Sequence, residues 1–358
     1  MRICIDVSQA VYGTGVGDYT KNLVTHLLRV DSENEYVLFG GALRRRGELQ
    51  QLFPPTKNST LKSFIFPPTI ADIFWNNLHT LPIEKFVGNI DLLHSSDWTQ
   101  PPTCAFKITT IHDLAPLRYP QYTPKKILDV HKKRLAWVAK EVDRIIAVSS
   151  FTKQEAVELL GINPEKIVVI PEAGDERICP VGFDEVERVV KKFMIPGKYL
   201  LVVGTNPRKN LPKIVEAFDK IRVNHKLSLV VVGRKPQGNF GKDVIFTGFT
   251  GFEDLSALYS GAAALVYTSL YEGFGQPILE AMKVGCPVIT SNTSSLPEVA
   301  GDAAVLVNPT KTEEIVDGIK EVVRNREKWA KKGRQRAKEF SWEDTVKLTL
   351  RVYQEALK

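Results

Sequence analysis

Glu272 and Glu280 bracket the run Gly273-Phe274-Gly275-Gln276-Pro277-Ile278-Leu279. Carboxylates accept hydrogen bonds from hydroxyls, and the free amides of a helix N-terminus hold anions. The apolar run from Ala262 to Tyr267 reads as a buried strand leading into this stretch. Gly273 and Gly275 allow a turn that brings backbone close to a ligand. Pro277 suits the first position of a helix that Gly285 ends. Glu280 is then expected in the first turn of that helix, and Glu272 in the loop before it. Two carboxylates around a loop of free amides suit a ligand with phosphate in its middle and sugar hydroxyls at both ends. That is the chemistry of a nucleotide sugar.

A second group adds positive charge. The strand Lys198 to Val203 runs into Gly204-Thr205-Asn206-Pro207-Arg208-Lys209, and Asn210 is expected to cap a helix from Leu211 to about Val223. Arg208 and Lys209 thus stand at a strand's carboxyl end beside a helix N-terminus, where two cations and free amides make an anion site. Near the start, the strand Arg2 to Val7 leads into Gly13-Thr14-Gly15-Val16-Gly17 and a helix from about Asp18 to Val30. Strand, glycine loop and helix open a nucleotide-type αβ fold. Asp18 occupies the third glycine position of G-x-G-x-x-G, which argues against a dinucleotide and against an NAD-dependent oxidoreductase. His94 and His112 end the strands Asp91 to His94 and Lys107 to Ile111, where open αβ sheets bind ligands. His94 reads as a histidine satisfied by hydrogen bonds, and His112 as the functional one.

The spacing Glu-x7-Glu, filled as Glu272-Gly-Phe-Gly through Glu280-Ala-Met, resembles the signature of the retaining glycosyltransferases of family 4. Ile111-His112-Asp113-Leu114, the Arg208-Lys209 loop, and the runs Ile145 to Lys153 and Ile170 to Gly174 resemble the same family. There the residues after Pro171 are more often Asn-Gly, and Glu172-Ala173 departs from that pattern. The resemblance spans the chain and is strongest from Gly204 to Gly301. It implies the GT-B fold: two Rossmann-like domains facing a central cleft, with a C-terminal helix crossing back to the N-terminal domain. The expected domains are residues 1–172 with 341–358 on the acceptor side, and 173–340 for the nucleotide sugar. By resemblance, His112 and Glu272 are catalytic. Gly15, Arg208, Lys209, Gly273, Phe274, Gly275, Gln276 and Glu280 bind the donor. Glu272 takes the hydroxyls of the transferred sugar and Glu280 those of the ribose.

The implied reaction moves a hexose to a glycan or lipid-linked acceptor with retention. No Asp-x-Asp occurs in the sequence, so no metal and no cofactor is expected; Arg208 and Lys209 take the metal's place. The pattern from Trp75 through Pro82, His94 and Pro101-Pro102 to His112 is similar to bacterial mannosyltransferases of surface polysaccharides. GDP-mannose is therefore the first donor suggested, with UDP-glucose and other UDP-sugars open. A nucleotide-sugar epimerase or hydrolase of the same fold, which needs no acceptor, is the alternative. A non-catalytic nucleotide-sugar-binding protein has little use for His112, Glu272 and Glu280 together.

The remaining elements must position these groups. The 358 residues suffice for two cores, and 43% hydrophobic with 25% charged residues is ordinary for a globular protein. A net charge of +7 and a pI near 9.0 suit phosphates or an anionic surface. No RNA-binding aromatic–basic pattern or zinc-finger spacing points to nucleic acid. Four scattered cysteines indicate a reducing compartment, and the N-terminus is too short and charged for a signal peptide. The expected location is cytoplasmic, with peripheral membrane contact open to the basic N-terminal domain.

Gly40 to Thr60, with Arg44-Arg45-Arg46, reads as an exposed loop or short helix. Ile70 to Phe86 reads as an amphipathic helix packed on the sheet. Pro124 to Val142 reads as a basic helix, with Lys125, Lys126, Lys132, Lys133 and Arg134 to solvent and Ile127, Leu128, Leu135, Trp137 and Val138 on the sheet. Pro171 to Gly182 is the expected hinge.

Overall fold

Buried Val, Ile and Leu runs at short intervals, each followed by a helical stretch, pair as parallel strands because helical crossovers cover both faces of a sheet. The computed structural model describes residues 1–225 and 227–357, with side chains outside 223–225. The chain divides into two units, Met1–Glu172 with the segment from Trp342 onward, and Ala173–Ser341.

The first unit carries seven parallel strands: β1 (Arg2–Asp6), β2 (Glu35–Gly41), β3 (Ser59–Phe64), β4 (Leu92–Ser95), β5 (Phe106–Ile111), β6 (Arg144–Ala147) and β7 (Ile167–Val169). Their spatial order is β3-β2-β1-β4-β5-β6-β7. The order reverses direction between β1 and β4, which pair as Ile3 with Leu92 and Ile5 with His94. The second unit has six: β8 (Tyr199–Val203), β9 (Ser228–Val232), β10 (Val244–Gly248), β11 (Ala264–Tyr267), β12 (Val288–Ser291) and β13 (Val305–Val307), in the order β10-β9-β8-β11-β12-β13. Here the reversal lies between β8 and β11. Ligands of doubly wound sheets bind where the order reverses, outside the strands' carboxyl ends. The loops leaving β8 and β11 hold Arg208, Lys209 and Glu272.

Several local expectations change. The helix Gly15–Val30 begins three residues before Asp18, because Thr14 Oγ1 accepts from the Gly17 amide and caps it. Gly15 is thus the first residue of the helix, not part of a loop. Within 40–60, a helix at Arg46–Leu52 precedes β3, which starts at Ser59. This polar strand lies at the sheet edge and lacks a buried run to mark it. Ile70 to Phe86 is no single helix. A turn at Pro68–Ala71 passes into a π turn at Asp72–Asn77, where the Leu78 amide reaches back to Ile73 O. His79 and Leu81 then take positive φ of 49° and 65° and end it. The wider turn seats Trp75 in the core, and its Nε1 donates to Leu81 O at 2.9 Å.

The C-terminal helix Trp342–Tyr353 packs on Gly15–Val30. Trp342 is buried against Tyr19 and His26. The Tyr353 hydroxyl pairs with His94 Nδ1 at 2.7 Å, and Thr110 Oγ1 meets Nε2 at 2.9 Å. Both ring nitrogens of His94 are thereby used, and burial lowers its pKa to about 3. The histidine is a neutral structural group, as its sequence context suggested.

Candidate active site

In the second unit, the chain leaves β8 through Gly204, whose φ is 91°. A side chain there would crowd the Lys209 stem at 3.1 Å, so glycine is what lets the lysine fold back over the turn Pro207–Lys209. Lys209 Nζ donates to Glu272 Oε1 at 2.7 Å and to the Tyr267 hydroxyl at the end of β11. Arg208 O accepts from the Leu270 amide at 2.8 Å, and the Arg208 guanidinium lies over the Tyr271 ring at 5.9 Å. Burial opposes charge on Glu272, but Lys209, by charge and hydrogen bond, and Arg208 beyond it hold its pKa below the usual carboxylate value. Glu272 is therefore a carboxylate at neutral pH.

The loop between Glu272 and the helix Gln276–Val284 is held from below by two serines. Ser294 Oγ accepts from the Glu272 amide at 3.2 Å, and Ser295 Oγ lies 2.9 Å from Glu272 O and 2.7 Å from Phe274 O. Gly275 has φ of 111°, and a Cβ there would come within 2.7 Å of Leu296. Only glycine fits. The helix N-terminus follows directly, with Gln276 first and Pro277 second; Pro277 has no N–H and the Ile278 amide turns back to Gly275 O at 2.9 Å, so Gln276 carries the leading amide. Pro277, expected at the first position, is displaced by one because Gly275 already turns the chain.

One carboxylate placement differs from expectation. Glu280 stands in the second turn of this helix, not the first, and is largely buried. The Tyr259 hydroxyl donates to its Oε2 at 3.0 Å. The Phe274 ring packs edge-on against Phe340, leaving its backbone as the part available to an anion. Asn210 directly precedes the helix Leu211–His225, as expected, and its O accepts from the Ile214 amide at 3.2 Å, but it is left-handed at φ 61° and not extended as an N-cap is. Its Nδ2 donates to Thr268 O and Pro309 O instead, tying the β8 and β11 loops together.

In the first unit, His112 follows β5 directly. Its Nδ1 lies 3.0 Å from Glu172 Oε1, and the Tyr19 ring meets it edge-on at 4.5 Å between centroids. Tyr19 belongs to the helix that begins at Gly15, so one helix joins both candidates. Gly15 has ordinary φ, and a Cβ there would meet nothing within 4 Å, whereas one at Gly17 would strike Gln9 O at 2.7 Å. Packing explains Gly17 and leaves Gly15 free for another reason. Asp113 Oδ1 accepts from the Ala115 amide at 2.9 Å and so orients backbone.

At the reversal of the first sheet lies a cavity of about 400 Å³, walled by Tyr12, Phe39, Trp75 and Trp98, with Asp6 and Asp97 among its polar groups. Gln9 Oε1 and Trp98 Nε1, both on its wall, are buried without a hydrogen-bond partner in the described structure. Arg134, expected on the solvated face of its helix, is fully buried behind this wall. It donates to Asp97 Oδ1 and Ser96 O at 3.0 Å and to Thr109 Oγ1 at 2.6 Å.

The structure thus gathers Arg208, Lys209, Glu272 and residues 273–276 at one sheet reversal, with Glu280 one turn further on. Gly15 and His112 lie in the other unit, linked only through Tyr19 of the helix that begins at Gly15. Glu172, Tyr267, Ser294, Ser295 and Arg134 had been given no role in the site. Arg134 was legible, since Val130, Arg134 and Val138 share one helical stripe. The others needed contacts between distant loops.

A model of glycosyl transferases group 1 matches residues 185–340, and one of glycosyltransferase family 4 matches residues 13–176. O-antigen chain mannosyltransferase B of Escherichia coli is 30% identical over 371 residues, covering 95% of this chain and 96% of that one. O-antigen chain mannosyltransferase RfbU of Salmonella typhimurium is 25% identical, covering 87% of each. Among solved structures, Anabaena HepE with UDP and glucose superposes with a TM-score of 0.74 at 15% identity, covering 99% of this chain and 100% of that one. Two Rossmann-like parallel-sheet domains of the GT-B type, matched by both family models, define a glycosyltransferase. The chain belongs to glycosyltransferase family 4, among its mannosyltransferase-like members.

Proposed function

We propose that the protein is a retaining hexosyltransferase that takes mannose from GDP-mannose, or a hexose from a UDP-sugar, to a glycan or lipid-linked acceptor without a metal. The observation that carries this reading is the convergence of Arg208, Lys209, Glu272 and a helix N-terminus at the reversal of the second sheet. The donor diphosphate sits on Arg208, Lys209 and the amides from Gly273 to Gln276. Lys209 has three N–H groups; Glu272 and Tyr267 engage two, and the third serves a phosphate oxygen. Glu272 takes hydroxyls of the transferred sugar with its other oxygen, and Glu280 takes the ribose.

As the sugar–phosphate bond breaks, negative charge grows on the diphosphate, and the two fixed cations stabilise it. The acceptor hydroxyl attacks from the face the diphosphate leaves, and the leaving phosphate oxygen takes its proton. His112 orients the sugar and forms no covalent bond. The aromatic-walled cavity of the first unit, with its unpaired Gln9 and Trp98 atoms, receives the acceptor. The mannosyl donor is supported by the O-antigen mannosyltransferases that resemble the chain from end to end.

A donor screen tests this: purified protein, a panel of nucleotide sugars, chelator present, scored by thermal shift and release of free nucleotide. GDP-mannose should stabilise the protein and be turned over when acceptor is supplied, and both signals should vanish in Glu280→Ala and Arg208→Ala. Absence of stabilisation by every nucleotide sugar would overturn the reading, and dependence on added divalent metal would remove its metal-free part.

We further propose that the first unit touches an anionic membrane surface from the cytoplasmic side. No described helix is long and apolar enough to cross a membrane. Ile73 and Leu78 are 49% and 60% exposed beside the helix Lys125–Glu141, which presents Lys132 and Lys133 to solvent. Apolar side chains flanked by lysines bind anionic lipid through burial and charge together. The protein should float with vesicles containing phosphatidylglycerol, less so in high salt, and not with neutral ones. Lys132→Glu/Lys133→Glu should abolish flotation; equal binding to neutral vesicles would count against the charge argument.

A further inference from the structure

Glu172 lies just beyond β7, across the carboxyl end of β6 from His112, and the carboxylate spans that strand to meet the imidazole at 3.0 Å. Both side chains are nearly closed to solvent, 13% exposed for His112 and 9% for Glu172. The backbone beside Glu172 is fixed from the C-terminal helix, where Thr345 Oγ1 donates to Pro171 O at 2.8 Å. The imidazole is fixed from the other side by the Tyr19 ring, itself packed on Trp342. Among the described residues, His112 Nε2 has no protein partner. A buried histidine gripped at one nitrogen and open at the other is built to present that second nitrogen to a ligand.

We propose that Glu172 is a positioning residue that holds His112 by Nδ1–H and keeps the ring in its charged form, so that Nε2–H donates to an oxygen of the substrate. This rests on the glycosyl-transfer reading for the identity of that oxygen, a hydroxyl of the transferred sugar. The pair is neutral as a whole, so His112 gains donor strength without a net positive charge beside the sugar carbon that loses its leaving group. A neutral imidazole held the same way would present a lone pair at Nε2 and could only accept.

The surroundings agree. Burial works against charge on His112, but the Glu172 hydrogen bond and charge, with Asp97 and Asp113 behind them, more than offset it, and its pKa is raised. Asp97 follows β4 and is paired with Arg134; Asp113 adjoins the ring in sequence. His94, on β4, is neutral, and Tyr19 is the group facing His112 from the first helix. Asp6 at the end of β1 shares the small recess with His94, Asp97 and His112. The charged form, raised in pKa, persists below the folded value and is lost as pH rises through it. Activity that depends on Nε2–H therefore falls on the alkaline side.

Two measurements test the pair. The first is an NMR titration of the His112 ring nitrogens, assigned by difference with His112→Gln. Wild-type His112 should titrate above the ordinary 6.5, and in Glu172→Gln, which keeps an acceptor oxygen of the same reach, the midpoint should fall by about 1 unit or more. The second is the pH profile of turnover. Glu172→Gln should lose roughly 10- to 100-fold in kcat near pH 8 with donor KM little changed. Its alkaline limb should move down with the NMR midpoint, and activity should recover at lower pH. A shifted titration in a protein that turns over no nucleotide sugar would uphold the pair and overturn only the assigned reaction. Unmoved titration and pH profile in Glu172→Gln would overturn the proposal; if that variant does not fold, a wild-type midpoint at or below 6.5 overturns it alone.

Discussion

Lys209→Ala should lower kcat by about 10³-fold or more, the scale seen when a fixed group that stabilises developing charge is removed. The loss has two sources in the structure. The cation that meets the leaving diphosphate is gone, and Glu272, only 13% exposed in its side chain, keeps a buried charge without its partner. The second effect should appear as lost stability of about 3–5 kcal/mol in the C-terminal unit. Lys209→Ala with Glu272→Gln separates the two, because the neutral amide no longer needs the lysine. Steady-state turnover of the preferred donor and urea unfolding check this: the double variant should regain much of the unfolding midpoint and none of the rate. A single variant that retains more than a tenth of wild-type kcat would remove Lys209 from the reaction.

Arg134→Ala should be the most damaging change away from the donor residues. The guanidinium is sealed from solvent and joins the loop after β4, through Ser96 O and Asp97 Oδ1, to Thr109 Oγ1 on β5. Burial opposes its charge, which Asp97 and Asp6 support. Truncation leaves Asp97, 15% exposed in its side chain, without its partner and opens a void, a loss of about 3–5 kcal/mol. Because the chain has two units, the effect should be read as an early separate transition of the N-terminal unit by calorimetry, with the C-terminal transition in place. Arg134→Lys restores the charge but not the fork of donors and should recover only part of the loss. One unshifted transition in Arg134→Ala would show that the network carries no net stability.

Much of the fold was legible because its signals are local. Parallel strands buried on both faces appear as short apolar runs, and the helices between them as amphipathic stretches with caps. Ser149 caps its helix through its side chain, whereas the Thr14 cap was not read from the sequence and moved the first helix forward. Where the expectation failed, the deciding force was tertiary. β3 is a polar edge strand, paired only because β2 offers a free side. The helix expected over 70–86 breaks into turns because Trp75 and the left-handed His79 and Leu81 follow the core and not the local periodicity. Arg134 reads as a solvated cation by type and as a core residue by position, and position prevailed because three acceptors await it.

The sequence by itself determined which groups the loops after β8 and β11 carry. Residue type and spacing place two carboxylates, two cations and a glycine turn at a helix start, and those constraints act within a few residues. It also determined the family, since Glu272 through Glu280 and Ile111 through Leu114 are contiguous motifs. Only the tertiary structure decided which group partners which. Lys209 meets Glu272 across the sheet reversal between β8 and β11, and Glu172 meets His112 across β6. A departure from the family's usual residues at 172 carries no meaning along the chain. It acquires one when strand order brings a buried carboxylate within hydrogen-bonding distance of a buried imidazole, because partners separated by tens of residues are chosen by the sheet and not by their spacing.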